Sequence, residues 1–148
     1  MEAEYRPMPD FPESSIKLSI ASTPAHLPVV RAALESVCKL MGFDEPTRGD
    51  IVLAVDEALA NVIKHAYHGD NDKPIEVTLQ SVGGDVGSLH IELRDWGEQV
   101  EPASIKSRDL DDVRPGGLGV HIMSRCMNEV KYVHAPDGGT LLTTVKTL

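Results

Sequence analysis

The chain has 148 residues, 41% hydrophobic and 25% charged, with a formal net charge of −9. This length and balance suit one soluble folded domain with its own core. The acidic surplus argues against nonspecific nucleic-acid binding, which needs a basic surface, and no apolar run approaches the roughly 18 residues of a membrane span.

Residues 1–13 contain three prolines, several acids and no apolar run. They predict a flexible lead-in and not a secretory signal, so the cytoplasm is the expected compartment. Residues 14–148 are expected to form the domain. Residues 14–21 alternate polar and apolar side chains and predict a strand. Thr23 and Pro24 then have the chemistry of a helix cap and first turn. Leu27, Val30, Leu34, Val37, Cys38 and Met41 recur at helical spacing, and Gly42 ends that helix. A second helix is predicted over residues 45–67. Its apolar stripe is Ile51, Val52, Val55, Ala58, Leu59, Val62, Ile63 and Ala66. Residues 68–74 form a polar break.

Residues 75–82 and 88–94 predict two strands joined by the glycine-rich turn 83–87. Residues 98–115 lack a regular apolar period and predict a long loop, a feature that is usually functional or disordered in a small domain. A third helix is predicted over residues 117–128, with Leu118, Ile122, Met123, Cys126 and Met127 inward. Residues 129–135 and 140–147 close the chain as a hairpin across residues 136–139. Hairpins dominate the strand pairs in this β-α-α-β-β-α-β-β order. The predicted class is therefore α+β, a two-layer α/β sandwich with helices on one face of a mixed, mainly antiparallel sheet. Cys38 and Cys126 sit in apolar helical patterns and are expected as buried free thiols.

Three segments carry chemistry. Glu57, Asn61 and His65 are four residues apart and share one helical strip, which the spacing sets well away from the core stripe. A carboxylate and an amide one turn apart suit a hydrated metal with its phosphates and a nucleophile's proton. Asp95-Trp96-Gly97 ends a predicted strand. There a carboxylate can accept from an exocyclic amino group, and glycine lets the chain pass close to a flat base. Pro115-Gly116-Gly117-Leu118-Gly119 opens the third helix, where free backbone amides suit phosphate oxygens. Taken singly, these segments read first as a solvated helix face, a turn and a permissive loop. Trp96 is suited to capping a pocket or to packing.

Together and in this order, the segments resemble the N, G1 and G2 boxes of the Bergerat-fold (GHKL) ATPases. The narrower resemblance is to the anti-sigma-factor serine/threonine kinases. It rests on the run from Leu53 to Tyr67, on Gly116 to Met123, and on Met127 to Val130. Val29-Val30-Arg31 and Met41-Gly42-Phe43 fall where that family's first helix has comparable residues. The resemblance covers roughly residues 14–147.

The resemblance implies a Bergerat ATP-binding fold and ATP-dependent phosphorylation of a STAS-type anti-sigma-factor antagonist. Glu57 would be the general base, and Asn61 would coordinate Mg²⁺. Asp95 would read adenine, with Gly97 shaping that pocket. Gly116, Gly117, Leu118 and Gly119 would lie at the phosphates, with Arg114 as a further phosphate contact. His65 would line or brace the site. Residues 98–115 would form the ATP lid, and Arg31 would face phosphate or partner. A sigma factor as second partner and a homodimer are implied in the same way. Asp95-Trp96-Gly97-Glu98-Gln99 lacks the second glycine of many Bergerat ATPases, which favours the anti-sigma kinases over the chaperone and histidine-kinase branches. The rival readings are a noncatalytic nucleotide-binding switch that sequesters a partner, and a detached histidine-kinase-like domain.

Overall fold

The computed structural model describes residues 15–83, 86–99 and 123–148. Strand β1 (Ser15–Ala21) leads into a short 3-10 turn over Pro24–His26, which Thr23 caps by accepting from the Ala25 amide at 3.3 Å. Helix α1 (Leu27–Met41) buries Leu27, Val30, Leu34, Val37, Cys38 and Met41, the six positions of the apolar period. Gly42 stops it at φ 95°, a left-handed conformation that costs glycine little, and sends its N–H back to the Cys38 and Lys39 carbonyls. Asp44 then caps helix α2 (Glu45–Asn61) by accepting from the Thr47 amide at 2.9 Å.

The predicted second helix changes character before its end. From Val62 to Ala66 the backbone forms a π turn. Its signature is the Tyr67 amide donating to the Val62 carbonyl, five residues back, at 3.0 Å. A π turn holds one more residue per hydrogen-bonded ring than an α turn, so side chains beyond it are rotated from the α register.

Strands β2 (Pro74–Val82), β3 (Ser88–Asp95), β4 (Glu129–His134) and β5 (Thr140–Thr147) complete a five-stranded sheet in the order β1-β2-β3-β5-β4. Each pairing among the described residues is antiparallel, so the mixed sheet expected from the sequence is purely antiparallel there. Alternation along β2 and β3 buries Ile75, Val77, Leu79, Leu89, Ile91 and Leu93 on one face. They share one core with Leu34 and Val37 of α1 and Ile51, Val55 and Leu59 of α2. Each such side chain contributes about 1.5–3 kcal/mol by leaving water. The two-layer α+β sandwich is therefore the observed architecture.

Of the predicted third helix, residues 123–126 are helical, and residues 117–122 lie outside the described residues. Met123 and Met127 pack into the core. Both cysteines are free thiols. Cys38 is fully buried, and burial first, then the Glu35 charge, pushes its thiol up to about 12, which keeps it neutral and unreactive. Among the described residues no helix is long and apolar enough to cross a membrane.

Candidate functional site

The site begins with the parity of β3. Leu89, Ile91 and Leu93 face the helices, and the next residue of that parity is Asp95, only 4% exposed. The strand thus delivers a carboxylate to the end of the core face. Burial first pushes this carboxyl above the ordinary carboxylate range. The Gly97 amide, the Arg94 charge and the Thr140 amide act in the opposite direction. The Gly97 N–H donates to Asp95 Oδ1 at 3.0 Å.

The chain after Asp95 is fastened to the π turn. A Cβ on Gly97 would stand 2.5 Å from the Ala66 carbonyl oxygen and 2.7 Å from its carbon. Only glycine allows this approach, and it lets the Glu98 amide donate to the Ala66 carbonyl at 2.9 Å. Between these points the Trp96 amide donates to the Tyr67 hydroxyl at 2.8 Å, and that hydroxyl donates to the Pro74 carbonyl at 2.6 Å.

The space between the end of α2, the π turn and the sheet is an open cleft. Ala58, Val62, Ala66, Leu93, Tyr132 and Leu142 give it apolar walls, and Asn61, His65, Asp95, Glu98 and Thr140 supply polar groups. Apolar walls with a few convergent polar groups are features of a small-molecule site. A flat heterocycle fits such walls, and Asp95 offers the acceptor an amino group on its edge requires.

Three of the predicted site residues, Asn61, His65 and Asp95, line this cleft, and Gly97 binds the carboxylate of Asp95. The helical strip is not remote from the core, as its spacing alone suggested. Glu57, Asn61 and His65 are all half-buried, beside the cleft walls Ala58, Val62 and Ala66. The π turn shifts only His65 from the α register; Glu57 and Asn61 lie in the α-helix before it. Glu57 lies one turn before Asn61, outside the cleft lining. Burial, then the neighbouring Asp56 charge, raises its pKa. Arg114, Gly116, Gly117, Leu118 and Gly119 lie outside the described residues, as does the predicted lid beyond Gln99. Arg31 is elsewhere, paired through Nε with Asp56 Oδ1 at 2.8 Å. Trp96 is 39% exposed, with the Arg94 guanidinium 4.7 Å from its ring centroid, and it does not line the cleft.

Sequence reasoning missed Thr140 and Tyr132 as parts of the site and gave Tyr67 and Glu98 no individual role. Thr140 opens β5 and stands buried beside Asp95, a placement only strand order supplies. Gln99 occupies the position of the absent second glycine. Its side-chain amide donates to the carbonyls of Ala135 at 3.0 Å and Gly139 at 3.1 Å.

Residues 20–146 match the family described as histidine kinase-like ATPase domain. The chain belongs to that family. It is 30% identical over 138 residues to the serine-protein kinase RsbW of Bacillus velezensis, covering 87% of this chain and 83% of that one. The serine-protein kinase RsbW of Listeria monocytogenes is 27% identical over 136 residues, covering 86% and 85%. Among solved structures, the fold is similar to the RsbU and RsbW domains of a Mycobacterium tuberculosis protein. That match has a TM-score of 0.65 and 22% identity, and covers 91% of this chain but 33% of the other. The SiaB-SiaC complex from Pseudomonas aeruginosa matches with a TM-score of 0.62 and 10% identity, over 90% and 88%. Membership of a family of ATPase domains implies the use of ATP.

Proposed function

We propose that the chain is an ATP-dependent serine/threonine protein kinase and anti-sigma factor, which phosphorylates a STAS-type anti-sigma-factor antagonist in a partner-switching system. The observation that carries this reading is the buried Asp95 at one end of an apolar cleft, with Asn61 on the cleft wall and Glu57 one helical turn away. Likeness to serine-protein kinases over most of both chains supports it.

Asp95 accepts from the adenine amino group, and Gly97 keeps that carboxylate in place. Asn61 is the residue that holds Mg²⁺. Among the described residues no three of His, Cys, Asp and Glu cluster to bind a metal. Asn61 would hold such an ion together with the phosphates of the nucleotide. When bound, the ion offsets phosphate charge. Glu57 takes the proton of the substrate hydroxyl as the oxygen–phosphorus bond forms and ADP leaves. A carboxylate with a raised pKa is a better base near neutrality, and transfer of this kind depends chiefly on positioning and charge. Arg114 and residues 116–119 contact the phosphates, and residues 98–115 act as the lid. In the alternate state the same protein, as a homodimer in the cytoplasm, holds a sigma factor.

The test is incubation of purified protein with radiolabelled ATP, Mg²⁺ and its cognate STAS protein. Acid-stable label on a serine or threonine of that partner is the expected result. Nucleotide binding without transfer to any cognate partner leaves the noncatalytic switch as the better reading. Acid-labile label points to the histidine-kinase-like one.

A further inference from the structure

The turn between β4 and β5 lies against Asp95. Gly139 has φ 75°, and a Cβ there would sit 2.0 Å from the Asp95 carbonyl oxygen. The next residue is Thr140, which is buried and lines the cleft with Asp95, its amide helping to lower the Asp95 pKa. The placement of that amide therefore depends on where the turn sits.

Two side chains hold the turn. The Arg94 guanidinium donates through Nη1 to the Gly138 carbonyl at 2.9 Å and through Nη2 to Asp137 Oδ1 at 2.8 Å. The same Nη1 also bonds the Asp95 carbonyl. Gln99 reaches from the other side to the carbonyls of Ala135 and Gly139. Ala135 and Gly139 close the turn on themselves, the Ala135 amide donating to the Gly139 carbonyl at 3.1 Å. Gln99 thus bridges both ends of the turn and joins it to the segment that Gly97 and Glu98 fasten to the π turn. A glycine at position 99 has no amide to do this.

We propose that Gln99, with Arg94, is a positioning residue for purine selection: it locks the β4–β5 turn so that Thr140 and Asp95 present a fixed acceptor to the amino edge of adenine. This rests on the reading of the cleft as an ATP site. Gln99 stands where many Bergerat ATPases have a second glycine, and its side-chain amide makes a bridge that glycine could not. A locked acceptor discriminates bases by an amino group. A loose one binds the ring without telling adenine from its oxo analogue.

Inosine triphosphate is the probe, because it differs from ATP by an oxo group at the position of the amino group. Calorimetry measures both nucleotides with wild type, Gln99→Ala and Gln99→Met, the last keeping chain length without a donor. Gln99 is exposed, so both variants retain the fold, which the melting temperature checks. The expected result is a preference for ATP in wild type that drops by about fivefold in both variants. That is the scale of one or two net hydrogen bonds. Affinity for inosine triphosphate changes little, and Gln99→Asn restores part of the preference. Equal loss for both nucleotides, or an unchanged ratio, overturns the positioning role alone. Wild type that binds neither nucleotide overturns the ATP reading and this inference with it.

Discussion

The Trp96 amide donates to the hydroxyl of Tyr67 at 2.8 Å, and this bond joins the end of the π turn to the segment after β3. Tyr67 is 6% exposed, and its hydroxyl also donates to the first residue of β2. One buried phenol therefore ties together three elements that meet at the cleft. Burial first raises its pKa, so it remains a neutral donor and acceptor. The Asp95 and Asn61 sides of the site are held in register through this group.

Tyr67→Phe keeps the ring and removes both hydrogen bonds. The Trp96 amide and Pro74 carbonyl then lose a partner in a half-buried place, at a cost of about 1–3 kcal/mol. The expected outcome is a lower melting temperature and weaker Mg-ADP binding. Scanning calorimetry and titration calorimetry on the same variant check it. Full stability together with full affinity is the contrary result.

Gly97→Ala is a steric test. The added Cβ meets the backbone of Ala66, which cannot rotate aside, so either the π turn or the strand tip shifts. Overpacking of this kind costs about 1–3 kcal/mol. Because the shift falls on Asp95, nucleotide affinity drops by at least about tenfold, even under conditions where the protein stays folded. Fluorescence of Trp96, the only tryptophan, follows the titration.

What was legible in the sequence follows the strength of local signals. The six apolar positions of α1, its stop at Gly42 and the alternation along β2 and β3 each depend on near neighbours, and each is found in the structure. Asp95 and Gly97, which alone read as a turn, became site candidates only through the combined resemblance of the three segments to the Bergerat boxes. The π turn at Val62–Ala66 was not legible. Nothing in the residue types there departs from a helix, and its contacts with Gly97 and Glu98 come from a segment remote in sequence. Thr140 and the bridge made by Gln99 depend on β5 lying beside β3, a long-range pairing that no local pattern encodes. The role of the Gly116–Gly119 segment lies outside the described residues.

Glu57→Gln separates transfer from binding. The isosteric amide cannot accept the proton, so phosphotransfer falls by about 10²–10⁴-fold, while Mg-ATP still binds. The wild-type rate also depends on pH. Burial and the Asp56 charge raise the Glu57 pKa, and the base works only when ionised. Transfer is therefore full above that raised value and lost as pH falls through it, with an acid limb above the range of an ordinary glutamate. Single-turnover rates from pH 4 to 8 display the limb. A variant as active as wild type removes Glu57 from the role of base.

Asp95→Asn sets function against stability. Burial first raises the Asp95 pKa above its unfolded value of about 3.8, so ionising the carboxyl costs the native state. For a carboxyl raised on folding, the stabilising contribution is complete below the unfolded pKa and is lost as pH rises through the folded value. At neutral pH wild type bears this cost and the neutral asparagine does not. Asparagine can still accept from the Gly97 amide through its own oxygen. The variant is thus expected to be as stable as wild type or more so at pH 7, with that relative gain shrinking toward pH 4. Its nucleotide affinity falls all the same, because an amide oxygen is a weaker acceptor than a carboxylate for the amino group of adenine. Denaturant midpoints at the two pH values and titration calorimetry with Mg-ADP measure the two sides. A variant that is less stable at pH 7 yet binds nucleotide normally makes Asp95 a structural residue and removes it from base recognition.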